Sequence, residues 1–368
     1  MSMKEKKGTY KFIISGGGTG GHIFPALSIA KEIKKQLPGA EILFVGAKGK
    51  MEMEKVPSEG FPIEGLWISG LNRTDKLKNI LFPFKLISSL WKSRKIINKF
   101  RPDAVIGTGG FASGPIMYMA QRKNIPTFIQ EQNSYPGITN KLLAKEAKKI
   151  YVAYDDTGSY FDREKIRLTG NPVRRSLLQS PVPGTVAAAH FDLDPQKKTL
   201  LVIGGSLGAM PVNRAIEKNL DKIKEKGWQL IWQTGKNHYE NFKKYENENI
   251  KVLPFIQNMP AAYALADIII SRAGAGTVSE LAIVGKPVIL VPSPYVAEDH
   301  QTKNAASLEA KNAAVLIKEN ELEQRLMKEL ETVLNRPEKY EELSDNLKKM
   351  ARPFATKEIV EDIIKHLK

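Results

Sequence analysis

Lys11-Phe-Ile-Ile-Ser15-Gly16-Gly17-Gly18-Thr19-Gly20-Gly21-His22 is a short apolar run that breaks into five glycines, and a helical pattern over 23–37 follows it. It reads as strand, turn, helix. Glycines suit such a turn because a backbone without Cβ takes φ > 0 and lets a bulky anion approach. The helix start behind it offers unpaired N–H groups and a partial positive charge, so the turn is suited to a phosphate. Gly16, Gly18 and Gly21 also fit Gly-x-Gly-x-x-Gly, the dinucleotide fingerprint. That fold calls for an acidic residue roughly 20 residues on, at the end of the second strand. Here the run 42–45 continues into Gly46-Ala47-Lys48 instead, and a histidine closes the turn where a dinucleotide site has no use for one.

Outward from this turn the chain alternates. Strand-like runs at 12–15, 42–45, 104–106, 127–130 and 149–152 are separated by helical patterns, the signature of a parallel sheet with crossover helices. The pattern restarts after the low-periodicity stretch around Pro181, Pro183 and Gly184. There Leu200-Leu-Val-Ile-Gly204-Gly-Ser-Leu-Gly208-Ala repeats strand, glycine turn and helix, 188 residues after Gly16. Further runs at 230–233, 251–253, 268–271 and 288–291 make a second open sheet. The expected class is α/β, with two doubly wound, Rossmann-like domains facing a central cleft at the carboxyl ends of both sheets. A length of 368 residues agrees, since single cores rarely grow past about 250–300 residues. The expected boundaries are 1–171 plus a C-terminal helix in 353–368 for the first domain, and 172–352 for the second. The final helical pattern, 359–367, is expected to pack back across the first domain.

Composition narrows the function classes. Cysteine is absent, which removes disulfides, thiolate metal sites and thiol nucleophiles together. The stretch 1–10 is polar and lysine-rich without an apolar core, unlike a signal peptide, and no run of 18 apolar residues occurs. A cytoplasmic protein is expected, free to rest on a membrane. The net charge of +16 calls for an anionic partner. Between Leu71 and Arg101, nine bases stand against the single Asp75, half of the chain's excess. Interleaved with Arg73, Lys76, Lys78, Lys85, Lys92, Arg94, Lys95 and Lys99 are Ile80, Leu81, Phe82, Phe84, Leu86, Ile87, Leu90 and Trp91. Bases flanking Phe, Leu and Trp are the composition of a surface lying in an anionic headgroup layer. A core-facing helix with a solvated basic side has the same pattern. Nucleic-acid binding is disfavoured, because no nucleic-acid module surrounds the segment.

A second phosphate device lies at Ser271-Arg272-Ala273-Gly274-Ala275-Gly276-Thr277-Val278-Ser279-Glu280, again strand, small-residue turn and helix. Two readings of Glu280 stand side by side, a ribose-diol acceptor and a favourable charge near a helix start. Asp192-Leu193-Asp194 has Asp-x-Asp metal spacing, but Pro195 and Lys197-Lys198 make it a turn before a strand.

Six motifs now fall in order: Gly-Gly-Gly-Thr-Gly-Gly-His (16–22), Gly-Thr-Gly-Gly-Phe-Ala-Ser-Gly-Pro (107–115), Glu-Gln-Asn (131–133), Gly-Asn-Pro-Val-Arg (170–174), Gly-Gly-Ser-Leu-Gly-Ala (204–209) and Ser-Arg-Ala-Gly-Ala (271–275). Together, over nearly the whole chain, they resemble the N-acetylglucosaminyltransferases that act on undecaprenyl-pyrophosphoryl-muramyl-pentapeptide in peptidoglycan synthesis, which are inverting GT-B glycosyltransferases. The resemblance implies a UDP-sugar in the second domain. Ser206 and Arg174 would bind its diphosphate, with Thr19, Gly20 and Gly21 closing from the other side. The backbone of Ile256 would meet uracil, and Ala275, Gly276, Thr277, Val278, Ser279 and Glu280 would form the helix start under the phosphates, with Glu280 on the ribose. Asn133 and Gln301 would reach the sugar. Gly276 stands where the pattern often has leucine or threonine, and His300-Gln301 where some members have two glutamines.

That chemistry needs a base on the acceptor hydroxyl and charge stabilisation on the departing UDP. His22 is the candidate base, because it ends the first glycine turn and an imidazole takes a proton near neutral pH. The alternatives are a histidine that only braces the turn, and Glu131 as the base. His190, His238 and His366 fall in polar or terminal segments. No metal is strictly required, and a divalent cation would be non-essential. The implied partners are UDP-N-acetylglucosamine, undecaprenyl-diphospho-muramyl-pentapeptide and an anionic membrane surface, with no nucleic acid, at the cytoplasmic side of the cell membrane. The alternative activity is transfer of a sugar from UDP to diacylglycerol on the same fold. A nicotinamide oxidoreductase lacks its acidic residue, and a non-catalytic basic adaptor leaves both glycine turns idle.

Overall fold

The computed structural model describes residues 9–70, 79–173, 175–178, 181–205 and 207–367. Arg73, Lys76 and Lys78 of the basic segment, and the candidate phosphate ligands Arg174 and Ser206, lie outside the described residues. The chain divides into two compact units, Met1–Val173 with Phe354–Lys368, and Arg174–Pro353.

The first unit is built on a parallel sheet of β1 (Lys11–Ser15), β2 (Glu41–Ala47), β3 (Ile63–Leu66), β4 (Ala104–Gly107), β5 (Thr127–Glu131), β6 (Lys149–Val152) and β7 (Ile166–Leu168). Their order is β3-β2-β1-β4-β5-β6-β7, so the strand order reverses between β1 and β4. Side chains alternate across each strand. Phe12, Ile14, Phe44, Ile106 and Phe128 enter one apolar layer, and Ile13, Val45, Val105 and Ile129 the other. Both faces are covered, which is why these strands read as unbroken apolar runs. The first layer also takes Ile359, Val360 and Ile363 from the helix Ala355–Lys365. Buried Tyr151 anchors that helix by donating its hydroxyl to Asp362 Oδ2 at 2.9 Å, while Arg167 pairs with the other carboxylate oxygen.

The second unit repeats the plan with β8 (Thr199–Ile203), β9 (Gln229–Gln233), β10 (Ile250–Leu253), β11 (Ile268–Ser271), β12 (Val288–Leu290) and β13 (Val315–Leu316). Their order is β10-β9-β8-β11-β12-β13, again reversing beside the first strand. In open sheets of this kind the ligand position lies beyond the strand carboxyl ends at that reversal. The glycine turns after β1 and β4, and those after β8 and β11, fall at these two places. The sequence pattern missed β3, β7 and β13, each of which ends a sheet. In β3, Ile63-Glu64-Gly65-Leu66, and β7, Ile166-Arg167-Leu168, charged residues and glycine interrupt the apolar run, and β13 is only two residues long.

Candidate active site

At the first reversal the chain brings three loops together. His22 sits in the opening turn of the helix Gly20–Gln36, whose N-cap residue is Thr19. Thr108, just after β4, grips it twice. Its hydroxyl donates to the His22 carbonyl at 2.8 Å, and its own carbonyl lies 2.9 Å from His22 Nδ1. A carbonyl has no proton to give, so Nδ1 carries a hydrogen, and in the neutral ring that leaves the lone pair on Nε2. Nε2 has no partner among the described residues. The half-buried ring is walled by the second glycine turn. A Cβ on Gly109 would stand 3.0 Å from Nδ1, and one on Gly110 would stand 3.1 Å from Cδ2 and 2.3 Å from the Gly17 carbonyl. Both residues have positive φ, +93° and +79°, so the turn needs glycine for its backbone as well as its space.

Two buried carboxylates organise these loops. Glu52, fully buried on the helix Glu52–Ser58, accepts the Gly18 N–H at 3.1 and 3.2 Å and the Ala47 N–H at 3.0 Å. It therefore already fills the Gly18 donor of the first turn, and an incoming anion is left with the backbone from Thr19 onward. Nothing in the sequence marked Glu52 out from any helical glutamate. Glu131, the second candidate base, is enclosed by its surroundings. Its carboxylate is 1 % exposed and accepts four hydrogen bonds, from Asn133 N–H (3.0 Å), Asn133 Nδ2 (3.3 Å), Gly137 N–H (3.1 Å) and Asn140 Nδ2 (2.8 Å). With both oxygens engaged, this buried carboxylate ties together the loop after β5. Asn133, one of its donors, is half-buried on that loop.

In the second unit the turn after β8 has positive φ at Gly205 and Gly208, +88° and +87°. Gln233, at the end of β9, donates Nε2–H to the Gly205 carbonyl at 3.0 Å and accepts the Ile256 N–H on Oε1 at 2.9 Å. It thus joins the glycine turn to the residue expected at uracil, and the Ile256 N–H is occupied while its carbonyl is the remaining backbone group. After β11 the helix Ala275–Val284 begins behind Gly274 without a side-chain cap. Gly276 is exposed, and a Cβ there would meet nothing within 4 Å. Thr277 and Ser279 are half-buried, whereas Ala275, Val278 and Glu280 are buried, so Ala275 and Val278 can present only backbone groups. Arg272 braces this turn through Val291 O at 3.0 Å and an ion pair with Glu319. The Gln301 carboxamide oxygen accepts the Ser293 N–H at 2.9 Å. The Asp-x-Asp stretch is a turn, with Asp192 paired to Lys251 at 3.1 Å and Asp194 accepting the Gln196 N–H at 2.8 Å.

The basic, aromatic segment forms the helix Phe82–Phe100. Its inner face is Ser89, Ser93, Ile96 and Ile97, and Phe82 and Leu86 also lean on the core. Phe82 therefore does not belong to an outward face. Lys85 donates to Ser69 Oγ at 3.0 Å, and Lys92 to Gly65 O at 2.9 Å with Glu64 beside it, so both ammonium groups are tethered and Lys92 is paired with a carboxylate. Ile80, Leu81, Phe84, Ile87 and Trp91 do face outward, Trp91 at 69 % exposure with Lys95 over its ring. No helix among the described residues is long and apolar enough to cross a membrane.

Comparison with known proteins agrees with this geometry. Residues 12–152 match the glycosyltransferase family 28 N-terminal domain, and residues 199–365 match the C-terminal domain of the same family. The UDP-N-acetylglucosamine--N-acetylmuramyl-(pentapeptide) pyrophosphoryl-undecaprenol N-acetylglucosamine transferase of Flavobacterium psychrophilum is 55 % identical, over 97 % of both chains. The protein of that name from Christiangramia forsetii is 53 % identical over 96 % of this chain and 97 % of its own. Among solved structures, Acinetobacter baumannii MurG superposes with a TM-score of 0.78 at 29 % identity, covering 97 % of this chain and 99 % of that one. The calicheamicin glycosyltransferase CalG4, at 14 % identity and a TM-score of 0.71 over 98 % of both chains, shares the fold alone. The chain has the GT-B fold of paired Rossmann-like domains and belongs to the family of these pyrophosphoryl-undecaprenol N-acetylglucosamine transferases.

Proposed function

We infer that this glycosyltransferase moves N-acetylglucosamine from UDP-N-acetylglucosamine to the C4 hydroxyl of the muramyl sugar in undecaprenyl-diphospho-muramyl-pentapeptide, a step of peptidoglycan synthesis. The observation that carries the reading is 55 % identity over 97 % of both chains with a transferase named for that donor and acceptor. His22 Nε2, the open lone pair of an imidazole whose other nitrogen is tied to Thr108, is the base. It takes the C4 hydroxyl proton as that oxygen attacks the anomeric carbon, the bond from that carbon to the UDP oxygen breaks, and the configuration inverts. The bonding pair leaves with UDP, whose added charge falls to backbone donors and to Arg174.

The donor occupies the second unit, with its diphosphate at Ser206 and the helix start at Gly276, Thr277 and Ser279. Its uracil lies against the Ile256 carbonyl and its ribose on Glu280, and Asn133 and Gln301 hold the sugar. Thr19, Gly20 and Gly21 supply the first unit's diphosphate contacts, since Gly18 is already bonded to Glu52. The outward apolar residues of 80–91 rest in the cytoplasmic face of an anionic membrane, where the acceptor's lipid tail is held.

The test is transfer of labelled N-acetylglucosamine from UDP to a polyprenyl-diphospho-muramyl-pentapeptide, run beside diacylglycerol and a control without acceptor. Label in the muramyl product alone is expected, and label only in diacylglycerol sinks the reading. His22→Ala should lower kcat by about 10²–10⁴-fold, and full turnover in that variant removes the base assignment.

A further inference from the structure

Gln132 takes no part in the transfer as described, yet it is 2 % exposed and its Oε1 is the second acceptor on His22 Nδ1, at 3.0 Å. A carboxamide can present either oxygen or nitrogen, and here the surroundings permit one orientation. Nε2 faces three acceptors, Thr108 O at 2.8 Å, Gln130 O at 3.0 Å and Gln130 Oε1. Gln130 is fixed in turn, donating Nε2–H to Asn171 Oδ1 at 2.9 Å, and Asn171 Nδ2 donates back to the Gln132 carbonyl at 3.0 Å. Gln130 and Asn171 are as buried as Gln132, at 0 % and 1 % exposure, so water does not compete for these bonds. With the amide flipped, NH₂ would face Nδ1–H, and oxygen would face three oxygens. The closed ring of amides therefore presents Oε1 to the imidazole.

We propose that Gln132 is a positioning residue for the transfer, holding His22 with Nε2 free and sharing the Nδ1 hydrogen with Thr108 as the ring becomes an imidazolium. The proposal rests on His22 as the base. A neutral imidazole is a modest donor. Once Nε2 has taken the hydroxyl proton, the ring is positive and both Nδ1–H bonds become charge-assisted, roughly doubling in strength. The contribution of Gln132 therefore grows toward the transition state and belongs in kcat rather than in donor binding.

The test uses the full chain with Gln132→Met, which keeps the length without an oxygen, and Gln132→Leu. Turnover with UDP-N-acetylglucosamine and the muramyl acceptor is measured, and the His22 ring is followed by ¹⁵N-resolved proton NMR. We expect kcat to fall about 10- to 100-fold, the order of one charge-assisted hydrogen bond, with the donor KM within about threefold of the parent. The Nδ1–H resonance, protected in the parent, should exchange rapidly in both variants. In a His22→Ala background Gln132→Met should cost nothing more. Unchanged kcat while His22→Ala is inactive overturns the positioning role alone, as does an equal loss in the His22→Ala background. Full turnover of His22→Ala overturns the base reading beneath it. An Nε2–H tautomer in the parent at neutral pH overturns the proposal without any variant.

Discussion

Replacing Glu131 by glutamine separates a scaffold carboxylate from a catalytic one. Four donors converge on this buried group, two on each oxygen. Hydrogen bonds to a charged partner contribute about 1.5–3 kcal/mol each. Glutamine keeps one accepting oxygen, so two donors lose their acceptor and face an NH₂ group instead. Loss of the two weaker contacts, with partial relaxation of the loop, gives a cost of about 3–5 kcal/mol. For a unit of this size that corresponds to a fall in Tm of about 6–20 °C. Calorimetry of the full chain reads the first number. Turnover well below the transition reads the second, and it should stay within about tenfold of the parent, because the base, on this account, is His22. An unchanged Tm with a 10³-fold or greater loss of kcat, of the size expected for a missing general base, would refute the reasoning and return Glu131 to the chemistry.

Other consequences follow from the same contacts. Gly110→Ala places a Cβ 2.3 Å from the Gly17 carbonyl at φ +79°, and should lower kcat by at least ~100-fold; Gly114→Ala, whose Cβ meets nothing closer than 3.5 Å, is the control that should stay near the parent. Ile87→Glu with Trp91→Glu, both strongly exposed in the parent, should weaken binding to anionic vesicles at least ~10-fold in a sedimentation assay, while turnover of a short-chain soluble acceptor holds; vesicle binding equal to the parent's argues against the membrane face. The Tyr151 phenol is pushed far above its ordinary value, first by burial and then by the charge and hydrogen bond of Asp362. The folded state keeps that proton where the unfolded chain loses it, so stability is full below about pH 10 and declines above it. Tyr151→Phe should lower the urea midpoint at neutral pH, by about 1 kcal/mol of lost hydrogen bond, and flatten the alkaline decline; an equally steep decline counts against this assignment.

The fold was legible because both faces of each sheet are covered. Central strands such as β1 and β8 then appear as short, continuous apolar runs ending in glycine, and two such runs half a chain apart announce two sheets. Edge strands such as β7, Ile166-Arg167-Leu168, carry no such mark. His22 was legible because a histidine at the end of a phosphate-type turn is out of place for a dinucleotide. The four hydrogen bonds on Glu131 were not legible, because a glutamate after a strand looks the same whether its oxygens are open or filled.

Local pattern by itself thus determined the strand-turn-helix units, their duplication and the family motifs, since these depend on residue spacing along the chain. Only the tertiary structure decided which polar groups meet. The bonds that set the His22 tautomer join residues 86 and 110 positions apart, and those that fill Gly18 with Glu52 span 34. Such partners are chosen by the order of strands in the sheet, which places the loops after β1, β4 and β5 side by side. A hydrogen bond depends on that distance in space, and no periodicity in the sequence records it.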